Sequence, residues 1–146
     1  MRLRSVRRAD IKRLSSWLPA VAAETDCQPW ASPQALADAK GSSGILTNDT
    51  GTTFVAYQLG SPEVDAARVG FLAVAPGERR LGIGGQTALA LERRLRDKAK
   101  RLYALVPSSL SLALYFWLRL GYRPLTKEQR PEPAANPLAV WMVRDL

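Results

Sequence analysis

The sequence predicts an α/β domain: a mixed sheet with helices on its faces. Three observations carry this. Short apolar or alternating stretches, bounded by turn residues, recur along the chain as strands do. Between them lie longer stretches with helical spacing, ordered β-α-α-β-β-β-α-β-α-β-β. And a chain of 146 residues without a low-complexity tail suits one domain with an ordinary core.

Taken in order, Leu3 to Arg7 alternates and reads as the first strand. Asp10 can cap a helix that carries Ile11, Leu14, Trp17 and Leu18 on one face, and Pro19 kinks or ends it. A second short helix is expected from Ser32, with Pro33 in its first turn and Ala35, Leu36 and Ala39 behind it. A hairpin follows, with arms Gly44–Thr47 and Thr52–Leu59 and turn residues Asn48–Gly51. Ala67–Val74 is an apolar strand stopped by Pro76. A long helix is expected from about Gly82 to Arg101. Its buried stripe is Ala88, Leu91, Leu95, Ala99 and Leu102, while Glu92, Arg93, Arg96, Asp97 and Lys100 face away. Glu92–Arg96 and Asp97–Arg101 then form i,i+4 pairs. Leu102–Val106 reads as a buried strand, and Ser108 or Ser109 caps a helix that runs to Leu120 and stops at Gly121. Tyr122–Leu125 is a strand, 126–137 a proline-rich loop, and Leu138–Arg144 the last strand.

Composition narrows the chemistry. Lys and Arg number 21 against 13 Asp and Glu, a formal charge of +8, which favours anionic partners or simply a soluble surface. The basic residues are scattered and no stacking platform is evident, so nucleic acid is not the expected partner. There is no histidine and one cysteine, Cys27. His-based triads and His-ligated zinc are therefore excluded, no intrachain disulfide can form, and no metal is expected. Cys27 has no evident activating neighbour and reads as a small buried apolar residue. No apolar run approaches the roughly 20 residues of a membrane span, and the N-terminus has charge without an apolar core, so it does not read as a secretory signal. A cytoplasmic location is expected.

The strongest motif runs from Val74 through Pro76, Arg79 and Arg80 to Leu81-Gly82-Ile83-Gly84-Gly85, between a strand and a helix. Glycines let the backbone curl so that its N–H groups converge, and the helix start adds partial positive charge. A P-loop would need Gly-Lys-Ser/Thr, which is missing. A dinucleotide turn would need a glycine where Thr87 stands and an acidic residue near Leu102 or Tyr103. The acyl-CoA pattern Arg/Gln-x-x-Gly-x-Gly/Ala is met by Arg79, Gly82 and Gly84. The pattern alone also fits a glycine-rich helix start without a ligand.

Context supports the ligand. Val69–Val74 with Pro76, and Ala113-Leu114-Tyr115 followed by Leu120-Gly121-Tyr122-Arg123, stand at a suitable spacing. On these residues the chain resembles the GNAT superfamily of N-acetyltransferases over nearly its whole length. The resemblance implies a mixed, mostly antiparallel sheet of six to seven strands flanked by about four helices and splayed between the fourth and fifth strands. It implies a single acyl-CoA-dependent N-acyltransferase-like domain over residues 1–146, which moves an acetyl group from acetyl-CoA to a primary amine of a small molecule or protein by direct attack.

The same resemblance assigns roles. Main-chain groups of Leu72, Ala73 and Val74 would meet the pantetheine arm, with the Leu72 N–H as oxyanion donor. Leu81, Gly82, Ile83, Gly84 and Gly85 would give N–H groups to the pyrophosphate, with Arg79 and Arg80 adding charge. Tyr115 is the candidate acid for the leaving thiolate; in helical register it shares a polar stripe with Ser108 and Ser111, both candidate CoA contacts. The base is less constrained. Some members carry a glutamate where Arg68 stands, and arginine cannot serve at neutral pH. Glu24 and Asp26 are the first alternatives, then Glu63 and Asp65, or a water chain. The missing glutamate also motivates a second reading, a non-catalytic acyl-CoA-binding module. Trp30 could line the acceptor pocket or plug the core, Arg93 or Arg94 could neighbour the CoA 3′-phosphate, and Trp141 could serve a dimer seam; a monomer or a homodimer is expected.

Overall fold

The computed structural model describes residues 1–25, 43–79, 81–131 and 139–146, with the side chains of Glu24 and Thr25 outside that description. Among these residues stand strands β1 (Arg4–Ser5), β2 (Ser43–Thr47), β3 (Thr53–Leu59), β4 (Ala66–Val74), β5 (Arg101–Pro107), β6 (Arg123–Pro124) and β7 (Ala139–Asp145). The helices are α1 (Ile11–Ser15), α2 (Leu18–Thr25), α3 (Ile83–Leu95) and α4 (Ser111–Arg119). The seven strands form one sheet in the order β1-β2-β3-β4-β5-β7-β6. Every pairing is antiparallel except β4 with β5.

Several boundaries move from expectation, each for a local reason. Asp10 does not cap α1 with its side chain; it accepts the Arg7 N–H at 2.7 Å and two bonds from the Arg4 guanidinium at 2.7 Å, closing a preceding 3-10 turn. The Arg4 partnership holds its carboxyl down at about 2, against the cost of burial. Pro19 does not end a helix. It sits in the first turn of α2, where its missing N–H costs nothing. The helix expected from Ser32 lies outside the described residues, as do Cys27 and Trp30. α3 stops at Leu95, so Arg101 belongs to β5 and pairs with Glu63 at 3.0 Å rather than with Asp97. The cap of α4 is Leu110, without a side-chain bond; Ser108 and Ser109 lie in the turn before it. Trp141 is fully buried, edge-on to Tyr103 at 5.9 Å, and so is not a dimer seam.

The core has two sides. Leu91, Leu95 and Ala88 of α3 pack with Val55, Val69 and Leu102 on one face of the sheet, and Leu14, Leu18 and Val21 pack with Phe54, Phe71 and Ala73 on the other. β4 contributes to both faces, and an irregularity changes which of its residues do so. Ala56 opposes Phe71 but Tyr57 opposes Val69, so Gly70 is an extra residue, a β-bulge. The bulge shifts the alternation: Val69 faces α3, and Phe71 and Ala73 face α1 and α2.

Candidate active site

β4 and β5 pair only from Ala66/Arg101 to Val69/Ala104, although β4 continues to Val74 and β5 to Pro107. Beyond that point β4 keeps β3 as its partner, β5 keeps β7, and the two part. A cleft of about 670 Å³ fills the gap, a size suited to a small-molecule site.

Main-chain direction along its β4 wall follows from one bond. The Ala75 N–H donates to the Thr52 carbonyl at 2.8 Å. In an antiparallel ladder successive residues point to opposite edges, so Ala73 also points to β3, while Leu72 and Val74 point toward the gap. The Leu72 N–H therefore points into the gap. Ala73 lines the cleft but directs its main chain into the sheet.

The mouth of the cleft is the start of α3. Gly82 adopts φ +76°, a left-handed conformation that side chains resist, and lets the chain swing into the helix. Gln86 is the first residue to close a helical bond, N–H to the Gly82 carbonyl at 3.1 Å. The amides of Ile83, Gly84 and Gly85 have no acceptor within the helix, and no side chain among the described residues caps them. Gly84 also lets α4 come close, since a Cβ on it would stand 3.1 Å from Phe116; a Cβ on Gly85 would meet Leu120 at an ordinary contact distance of 3.8 Å. Arg79 lines the same mouth, its Nε 3.5 Å from the Val74 carbonyl. These unclaimed amides beside an arginine fit a pyrophosphate. Leu81 is exposed and does not line the cleft, and Arg80 lies outside the described residues.

The opposite wall is α4. Tyr115 lines the cleft, 59% exposed, with the Arg119 guanidinium 5.7 Å from its ring centre. Sequence reasoning missed Arg119, which stands one helical turn from Tyr115 on the same face and is legible from i,i+4 spacing once α4 is placed. The expected polar stripe does not form a wall. Ser108 precedes the helix, and Ser108 and Ser111 are both exposed and stand off the cleft, where Leu112, Ala113 and Phe116 join Tyr115 instead.

The candidate bases divide. Glu24 lies in the last turn of α2, and its side chain and all of Asp26 are outside the described residues. Glu63 and Asp65 sit at the paired end of β4, away from the cleft; Glu63 binds Arg101 and accepts the Tyr103 hydroxyl at 3.1 Å. Arg68 donates to Gln58 at 3.3 Å. Among the described residues, no carboxylate lines the cleft. Arg93 and Arg94 reach the Met1 and Leu3 carbonyls at 3.5 Å, and neither lines the cleft. No described helix is long and apolar enough to cross a membrane.

A parallel strand pair that opens into a cleft, with bare helix amides at its mouth, defines a class. The chain matches the acetyltransferase (GNAT) family over residues 11–122 and belongs to that family. Solved structures of similar fold include an acetyltransferase from Thermus thermophilus, 23% identical, covering 100% of this chain and 98% of that one with a TM-score of 0.71. A GNAT family acetyltransferase from Elizabethkingia anophelis, with acetyl-CoA bound, is 16% identical, covering 99% and 97% with a TM-score of 0.68. The N-acetylglutamate synthase of Neisseria gonorrhoeae, complexed with coenzyme A and N-acetyl-glutamate, is 21% identical with a TM-score of 0.74; the match covers 99% of this chain and 34% of that one. At these identities the likeness is one of fold. No curated protein matches the chain by sequence.

Proposed function

We propose that the chain is an N-acetyltransferase that moves an acetyl group from acetyl-CoA directly to a primary amine. The carrying observation is the cleft itself, which places the α3 amides, the Leu72 main chain and Tyr115 around one space. The coenzyme A bound in one fold neighbour and the acetyl-CoA bound in another support the donor. In this reading Ile83, Gly84 and Gly85 grip the pyrophosphate with Arg79. The Val74 main chain meets the pantetheine arm, and the Leu72 N–H meets the thioester oxygen.

The amine nitrogen attacks the thioester carbon, a C–N bond forms, and the C–S bond breaks. Leu72 stabilises the oxyanion in between. Tyr115 gives its phenolic proton to the leaving thiolate. The amine proton goes to Glu24, to Asp26 or to water. No covalent enzyme intermediate is needed.

Thiol release from acetyl-CoA across a panel of amines tests this. Tyr115→Phe is expected to lower kcat by about 10²-fold while CoA affinity stays within about twofold. An unchanged rate in Tyr115→Phe removes Tyr115 from the mechanism. Saturable CoA binding without turnover on any amine would favour the second reading, a non-catalytic acyl-CoA module. That reading draws on the arginine at position 68 and on the described lining without a carboxylate.

A further inference from the structure

Glu92 was expected on the solvent face of α3, paired with Arg96. It is instead 4% exposed. Its carboxylate accepts the Tyr122 hydroxyl at 2.8 Å and Nη1 of Arg144 at 3.3 and 3.4 Å. The same Nη1 donates to the Leu120 carbonyl at 2.7 Å. Three segments thus meet at one buried carboxylate: α3, the turn that ends α4, and β7. Gly121 makes the meeting feasible. Its φ of +93° turns the chain after α4 in a left-handed conformation that side chains resist.

This cluster is a polar attachment between α3 and the end of α4, beside an apolar one. The apolar one is the contact of Phe116 and Leu120 with Gly84 and Gly85. Leu120 takes part in both, through its side chain in one and its carbonyl in the other. The outer face of α4 is exposed at Leu112, Tyr115 and Leu118, while Ala113, Leu114 and Trp117 on its inner face meet the core. Trp117, stacked edge-on to Tyr122 at 4.8 Å, carries the packing from the helix to the cluster. α4 bears Tyr115, and α3 begins with the amides assigned to the pyrophosphate.

We infer that Glu92, with Tyr122 and Arg144, is a positioning residue: it sets α4 against α3 so that Tyr115 stands at the right distance from the thioester of a CoA whose pyrophosphate the α3 amides hold. The inference rests on the reading of Tyr115 as the acid. A buried carboxylate is a costly way to obtain stability alone, because apolar residues of similar volume often serve as well or better. It is an effective way to fix register, since charge, hydroxyl and carbonyl must all be satisfied together. Positioning matters because a displacement of about 1 Å can cost about 10²-fold in rate.

A double-mutant cycle tests this. Glu92→Gln and Tyr115→Phe are made singly and together, and kcat for thiol release from acetyl-CoA is read with the best amine of the panel, alongside CoA affinity. Glu92→Gln is expected to lower kcat by about 10-fold with CoA affinity within about twofold, and to have no further effect in the Tyr115→Phe background. Equal losses of kcat in both backgrounds overturn the inference, as does a loss of CoA affinity that matches the loss of kcat. If Tyr115→Phe slows the enzyme but the cycle is additive, the positioning role fails and the acid role stands. If Tyr115→Phe changes nothing, or the unchanged chain releases no thiol, both fall. Should Glu92→Gln not fold, Tyr122→Phe carries the same cycle, because it keeps the ring and the Glu92–Arg144 pair. Its expected loss of kcat is about threefold, again absent beside Tyr115→Phe.

Discussion

The two ends of the β4–β5 pair are built from the same strands and behave oppositely. At the paired end polar groups satisfy one another. Lys100 N–H donates to the Asp65 carbonyl at 2.7 Å, Leu146 N–H to the Lys100 carbonyl at 2.8 Å, and Glu63 gathers Arg101 and Tyr103. At the open end the strands run on beside other partners, and the space between is lined by small and apolar residues. One extra residue, Gly70, marks the boundary. In the proposed reading the open end of the sheet leaves main-chain donors for a substrate to take. The paired end supplies the rigidity that lets the free donors stay in place.

If this contrast is right, changes at the open end should move CoA binding far more than stability. The largest effect is expected from Gly84→Glu. The new side chain brings negative charge to amides meant for phosphate and presses a Cβ toward Phe116 at 3.1 Å. CoA affinity should fall about 1,000-fold, ~4 kcal/mol, by isothermal calorimetry. A loss below about threefold would show that the helix start is not the pyrophosphate site. Gly82→Ala should be next. Nothing stands within 4 Å of a Cβ there, so the cost is conformational, and at φ +76° it is about 1–2 kcal/mol. Shared between fold and turn, this should appear as a lowered Tm and a CoA affinity weaker by about 3–10-fold. A lowered Tm with untouched affinity would mean that the turn keeps its shape without the left-handed residue.

Much of this contrast was legible in residues, and some was not. The turn at Asn48 was legible because its side chain does the work: Oδ1 accepts the amides of Thr52 and Thr53 at 2.9 and 3.2 Å. The phosphate turn was legible because glycine and arginine leave a local mark. The parting of β4 from β5 left no such mark, and only the resemblance to a family supplied it. Glu92 was misplaced because its partners, Tyr122 and Arg144, are 30 and 52 residues away. Its position, four after buried Ala88 and next to buried Leu91, was compatible with burial; its charge argued otherwise. On α4 the case is the reverse. Leu112 and Leu118 are apolar yet exposed, and Leu112 lines the cleft.

The paired end should answer to a different variable, pH, and answer weakly. Burial first, then the bond to Glu63 and its charge, raise the Tyr103 phenol above its ordinary value of 10.0, while Arg101 and Arg123 oppose the rise. A raised value means that the folded state favours the neutral phenol. The stability it contributes is present below pH 10.0 and is lost as pH climbs through the folded value. Denaturant midpoints should therefore fall in strong alkali, and Tyr103→Phe should make that fall shallower. Tyr122, raised by burial and Glu92, keeps part of the slope in either protein. Glu63→Gln breaks a half-exposed ion pair and should cost no more than about 1 kcal/mol near neutrality. CoA affinity should remain within about twofold in both variants. A larger change in affinity would mean that the paired end reaches into the cleft, and that the boundary at Gly70 does not separate scaffold from site.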